Sequence, residues 1–222
     1  MRLPIVTLSI AFVTAVLYVI GGAIPEQLIW VQDDASQIWQ WVSAHFSHIS
    51  GDHLVWNIAA LIILGGIIEQ TSRKVLGLAM VSGIIAVNIY LATFYTLNAY
   101  AGLSGALNAL LLVALYFLYQ QAEYKTAALI TLVIAVSKIL IEYSFKLSLF
   151  SDLPWPSVPQ AHLAGLIGGL SLVAFLELRK RRLLNSDLVA FADISQAVKV
   201  PTLKAKRNSR KHKLGTRRMN AI

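Results

Sequence analysis

Four polar side chains in a largely apolar chain have the types and spacing for chemistry. His53 and Asn57 open the stretch "HLVWN", Ser104 lies in "AYAGLSGALNALL" (residues 99–111), and His162 lies in "AHLAG". His53 and Asn57 are four apart and share one face of a helix. Ser104 stands at the start of an uncharged apolar run. A helix N-terminus there leaves backbone N–H groups unpaired at the positive end of the helix dipole. A serine in that place is either a packing residue or a nucleophile. Gly102 and Gly105 present no side chain to block approach, which suits a tetrahedral oxyanion held by the Ser104 N–H and the Asn57 amide. Serine needs a base, and His162 is the candidate. A third group to orient the imidazole is not evident. Glu177 lies roughly 22 Å farther along the same helix. Asp152 is within reach, but nothing requires it. The residues therefore read as a Ser–His dyad.

Such a site needs elements that bring the four residues to one place. The chain has 222 residues, of which 57% are hydrophobic and 14% charged. A soluble domain has about 25% charged residues, so the bias is that of a membrane protein. With no cysteine, disulfides, thiolate zinc sites and cysteine nucleophiles are excluded. Apolar segments at roughly 3–24, 53–69, 75–96, 103–120, 126–145 and 160–178 each approach the length of a membrane span. The first lacks a small-residue cleavage site and reads as a retained span. The expected architecture is an all-α polytopic membrane protein, a bundle of six transmembrane helices over 1–178, followed by a basic, disordered tail over 179–222.

Charge sets the orientation. Arg2, Arg73, Lys74, Lys125 and the tail beginning at Arg179 fall on one side of an even-numbered bundle. The opposite loops hold only Lys146 against Glu26, Asp33, Asp34, Asp52 and Asp152. The positive-inside rule then places both termini in the cytoplasm and the site toward the outer face. Spans two, four and six all begin on that outer side, and they begin with His53 and Asn57, with Ser104, and with His162. Ionisable groups at membrane depth default to function. Of the 19 Lys and Arg, thirteen follow residue 178. The tail reads as a topology anchor resting on anionic lipid. It has one Phe and no Tyr or Trp for stacking, which argues against specific nucleic-acid binding.

Three blocks together resemble the rhomboid intramembrane serine proteases over nearly all of residues 1–178. They are "HFSHISGDHLVWNIAALIILGGIIE" (45–69), "GLSGALNAL" with its GxSG turn, and "AHLAGLIGGL" (161–170). The resemblance implies a six-span rhomboid-like bundle in the inner membrane of a bacterial cell. It implies Ser104 as nucleophile, His162 as general base, and His53 with Asn57 at the oxyanion. It also implies peptide hydrolysis without metal or cofactor, on transmembrane or membrane-anchored protein substrates. Asn108 departs from the aromatic that many members place four residues after the serine, and is expected to hydrogen-bond instead, with His162 as the partner. The form "VPQAHLAGLIGGL" is also similar to the rhombosortase subgroup, whose members trim C-terminal anchor segments of exported proteins.

Plainer readings stand beside these. Gly65, Gly66, Gly165 and Gly169 read as packing residues. His45 and His48 read as loop residues bonded to backbone; with His53 their spacing fits no zinc pattern well. Lys138 and Glu142 read as a neutralising pair within the bundle, and Glu69 as structural. The loop 146–159, with three prolines and Trp155, is expected to cap the site. A non-catalytic protein of the same fold, binding or escorting transmembrane clients, is the alternative function; it should lack the serine or the histidine. A transporter is disfavoured by the lack of paired broken helices.

Overall fold

The computed structural model describes residues 3–21, 26–32, 37–94, 98–145 and 158–197. The expected cap loop, with Asp152 and Trp155, and the tail beyond 197 lie outside the described residues. The chain divides into two compact units, residues 1–179 and 180–222. The first holds the bundle.

Among the described residues, seven α-helices and one pair of two-residue strands follow in the order α1 (Ile5–Gly21), β1 (Trp30–Val31), α2 (Gln40–Ser43), α3 (Gly51–Thr71), α4 (Arg73–Phe94), β2 (Ala99–Tyr100), α5 (Ser104–Tyr119), α6 (Lys125–Phe145) and α7 (Pro159–Ala197). A 3-10 turn, Ala44–Phe46, follows α2. The six long helices coincide with the six apolar segments to within a few residues, apart from the continuation of α7. The fold is an all-α bundle of apolar helices, that of an integral membrane protein. Helices α3, α4, α6 and α7 are long and apolar enough to cross a membrane, while α1 and α5 are shorter apolar helices.

The helix ends follow local chemistry. Ser50 is extended and its hydroxyl accepts the His53 backbone N–H, capping α3 at 3.2 Å. Ser72 is extended and breaks the chain between α3 and α4; its hydroxyl accepts the Val75 N–H. At the same end of the bundle, the buried Glu69 carboxylate accepts the backbone N–H groups of Val6 and Thr7 and the Thr7 hydroxyl, at 2.9–3.0 Å, and pairs with Arg73. It thereby satisfies the orphan donors of α1 where lipid would leave them bare. This gives Glu69 the structural role expected of it.

Helix α5 sits in the middle, packed by α3, α4 and α6. Its sixteen residues make it about 24 Å long, against ~30 Å of hydrocarbon. Lipid supplies no hydrophobic force between helices, so close packing of small residues must hold them. A Cβ on Gly165 of α7 would overlap the Gly105 carbonyl of α5. One on Gly83 of α4 would lie 2.9 Å from the Ala106 Cα. Outward-facing surfaces are apolar. Helix α6 buries only Ala128, Ile139 and Glu142, leaving Ile130, Val133 and Ile134 exposed to the lipid.

Candidate active site

The serine end of α5 is held by the chain that precedes it. Strands β1 and β2 pair antiparallel, Trp30 opposite Tyr100 and Val31 opposite Ala99. The Gly102 N–H donates to the Ala44 carbonyl at 2.9 Å, and the Gly102 carbonyl accepts the Tyr100 hydroxyl at 3.0 Å. Burial pushes the Tyr100 phenol up, so it acts as a neutral donor. Gly102 has φ +122°, a conformation closed to most side chains, and the His53 ring occupies the space a Cβ would need. At Gly105 a Cβ would lie 2.7 Å from Val87 and 2.8 Å from the Tyr100 hydroxyl. The two glycines therefore let the turn lie against α3, α4 and β2.

Ser104 is the first residue of α5 and is half-buried; His162 is in the first turn of α7 and is buried. The His162 Nε2 lies 2.9 Å from the Ser104 Oγ. For Nε2 to accept the hydroxyl proton, Nδ1 must carry the ring proton. On that side the Glu142 Oε2 stands 3.4 Å away, and its Oε1 pairs with Lys138 at 2.6 Å. Lys138 and Glu142 thus form the expected pair, but the carboxylate also faces the imidazole.

Asn57 is buried on α3, and its amide nitrogen lies 2.9 Å from the His48 Nε2. The amide donates, so His48 presents a bare Nε2 and its Nδ1–H points to the Phe46 carbonyl at 3.3 Å. Burial, with the nearby His53 charge, holds His48 down to about 3, which keeps it the neutral acceptor this bond needs. The His53 ring meets the His48 ring edge-on, centroids 4.9 Å apart. His45 is buried too, and its Nε2 lies 2.9 Å from the Asn88 Oδ1 of α4. Burial lowers it to about 4, against the Asn88 bond that favours charge. The Asn88 amide in turn donates to the Trp41 carbonyl. His45 therefore departs from the backbone-bonding role expected of it, because the loop folds inward onto α4.

Asn108 also differs from expectation. Its amide donates to the Ser104 carbonyl one turn back, at 2.8 Å, not to His162. The side chain stays on its own helix and reinforces the first turn of α5. Sequence reasoning missed three supporting residues: His48 behind Asn57, Tyr100 behind Gly102, and Glu142 beside His162. Only Glu142 carried a signal. It lies seventeen residues beyond Lys125, roughly 25 Å along α6, at the level where α7 begins. Among the described residues no group of three His, Asp or Glu is placed to hold a metal ion.

The arrangement puts a hydroxyl and a hydrogen-bonded imidazole together at the N-terminus of a helix, which is what acyl transfer requires. Comparison with known proteins agrees in kind. The family model described as the Rhomboid domain matches residues 35–179. The rhomboid protease GlpG of Yersinia enterocolitica is 30% identical over 183 residues, covering 81% of this chain and 63% of that protein. The rhomboid protease GlpG of Haemophilus influenzae is 33% identical over 82 residues, covering 36% of this chain and 42% of that protein. The chain thus spans less than two thirds of the length of either relative.

Proposed function

The chain belongs to the rhomboid family, and from that premise we propose that it is an intramembrane serine endopeptidase. The observation that carries the proposal is the 2.9 Å approach of His162 Nε2 to Ser104 Oγ at the open N-terminus of α5. In the proposed reaction Ser104 Oγ attacks the carbonyl carbon of the scissile peptide, and its proton passes to His162. The Ser104 N–H and the Asn57 amide, with His53 alongside, receive the oxyanion. His162 then protonates the departing amine. Water, deprotonated by the same imidazole, releases the acyl group as a carboxylate and restores the serine. Asn57 suits the task because His48 fixes the plane of its amide while the nitrogen keeps a second hydrogen.

The substrates are transmembrane or membrane-anchored proteins cut in or beside the membrane, where a helix must unwind before its peptide bond is accessible. Helix-destabilising Gly or Pro near the cut favours that. Following the similarity of residues 158–170 to the rhombosortase subgroup, C-terminal anchor segments of exported proteins are the preferred class. Both termini face the cytoplasm of a bacterial cell, the site faces outward from the inner membrane, and the basic tail rests on anionic lipid. The test is cleavage of a reconstituted transmembrane substrate, with labelling by a fluorophosphonate. Wild type should cleave and label. Ser104→Ala, folded to the same extent, should do neither; a Ser104→Ala variant that cleaves at the normal rate overturns the proposal.

A further inference from the structure

We infer that Glu142 of α6 is a positioning residue for His162, adding a third member to the pair Ser104–His162. The inference rests on the proteolytic reading above. Three observations meet at this carboxylate. It is buried in a helix that otherwise turns almost wholly apolar surface outward. One oxygen is held by Lys138 at 2.6 Å, which fixes the carboxylate and balances its charge. The other oxygen lies 3.4 Å from His162 Nδ1, on the ring edge opposite the one that meets Ser104 Oγ. Ser104 from α5 and Glu142 from α6 thus face the two ring nitrogens of His162, with the His53 imidazole of α3 nearby. Of these only Glu142 is an anion.

A carboxylate opposite Nδ1 favours the tautomer with its proton on Nδ1, leaving the Nε2 lone pair aimed at the serine hydroxyl. It also stabilises the imidazolium that forms when the serine proton moves. The proton itself stays on the ring and later passes to the leaving amine. At 3.4 Å the pair is longer than a formed hydrogen bond of about 2.7–3.2 Å, so a few tenths of an ångström of approach completes it. Helix α6 carries few buried contacts that resist such a shift.

The test compares wild type with Glu142→Gln and with the double variant Lys138→Met/Glu142→Leu, which removes both charges and leaves neither buried alone. Each is reconstituted in liposomes, and kcat and KM are measured on a transmembrane substrate together with the fluorophosphonate labelling rate. Nitrogen-15 NMR of labelled histidine reads the His162 tautomer. Full-length Asp-to-Asn losses in serine proteases reach about 10⁴-fold; at this longer distance a loss of about 10- to 100-fold in kcat is expected, with KM and melting temperature held. Labelling should slow in parallel, and the Nδ1–H tautomer of wild type should give way to a mixture in the double variant. Unchanged kcat and labelling in both variants would overturn the inference. So would losses accompanied by a lowered melting temperature with the tautomer unaltered. Ser104→Ala, run alongside, separates the two readings: if it cleaves, the proteolytic reading itself has failed.

Discussion

His162 Nε2 and Ser104 Oγ lie 2.9 Å apart although 58 residues and two membrane-spanning helices separate them in the chain. The contact exists because α7 meets α5 backbone to backbone at Gly165, one turn beyond His162, and Gly105, next to Ser104. Loss of the imidazole should therefore resemble loss of the hydroxyl. His162→Ala is expected to lose substrate cleavage and fluorophosphonate labelling together, by several orders of magnitude, with the melting temperature retained. Labelling at the wild-type rate in His162→Ala would show another base at work.

Asn57→Ala should lower kcat by about 10²–10³-fold, the effect of removing one preorganised oxyanion donor, with KM little changed. His48→Ala should lower kcat in the same direction but less, since it removes only the acceptor that orients the Asn57 amide. Steady-state kinetics on one substrate peptide distinguish the two. Equal losses in kcat and substrate affinity would place Asn57 in substrate binding instead.

Gly165→Ala puts a methyl group where the Gly105 carbonyl already lies. Overpacking of this kind costs about 1–3 kcal/mol, and here it also pushes α7 off α5. Both the melting temperature and kcat should fall. Gly66→Ala, where nothing lies within 4 Å, should leave both near wild type.

Acid should destabilise the segment that carries His45 and His48. His45 and His48 are lowered from the ordinary 6.5 to about 4 and about 3. Above 6.5 both are neutral whether folded or unfolded, and their burial carries no protonation penalty. As the pH falls below 6.5, the unfolded chain takes up protons that the folded chain refuses. Stability is lost progressively down to about 4 for His45 and about 3 for His48. At pH 4.5 each accounts for a loss on the order of 2 kcal/mol. Thermal unfolding in detergent at pH 7.5 and 4.5 should show the fall, and His45→Gln should make it shallower. Equal melting temperatures at the two pH values would mean that these rings are not held neutral.

Glu69→Ala strips the Val6 and Thr7 N–H groups of their acceptor and leaves Arg73 without its pair. A lost acceptor for buried donors costs about 1–3 kcal/mol. Melting temperature should drop while kcat, measured at low temperature, stays near wild type, because Glu69 lies at the end of α3 opposite to His53 and Asn57.

Much of this geometry was legible from apolar run lengths. The six segments gave the six long helices, and alternation put His53, Asn57, Ser104 and His162 at one end. What could not be read was helix rotation and loop depth. The spacing of Lys138 and Glu142 announces a pair on one helix face, but only the roll of α6 against α7 decides that the second carboxylate oxygen meets His162. The side chain of Asn108 had two turns of possible partners, and the nearest backbone carbonyl won. His45 and His48 sit in a segment without periodicity, so nothing in the residue order tells that the loop dives inward to reach Asn88 and Asn57.

The shortness of α5 bears on how the protein answers to bilayer thickness. A lipid-facing helix of about 24 Å in a layer of ~30 Å must thin the bilayer or draw polar flanks inward. Helix α5 is ringed by its neighbours, with residues from Gly105 through Leu115 buried at most positions, so the mismatch is not passed to lipid. The turn that carries Ser104 is held against α3, α4 and α7 through Gly102, Gly105 and His162. Helices α4 and α6 expose apolar side chains along their outer faces, so a change of thickness would be met by a change in their tilt. A change in the tilt of α6 would alter the 3.4 Å separation between the Glu142 carboxylate and His162 Nδ1.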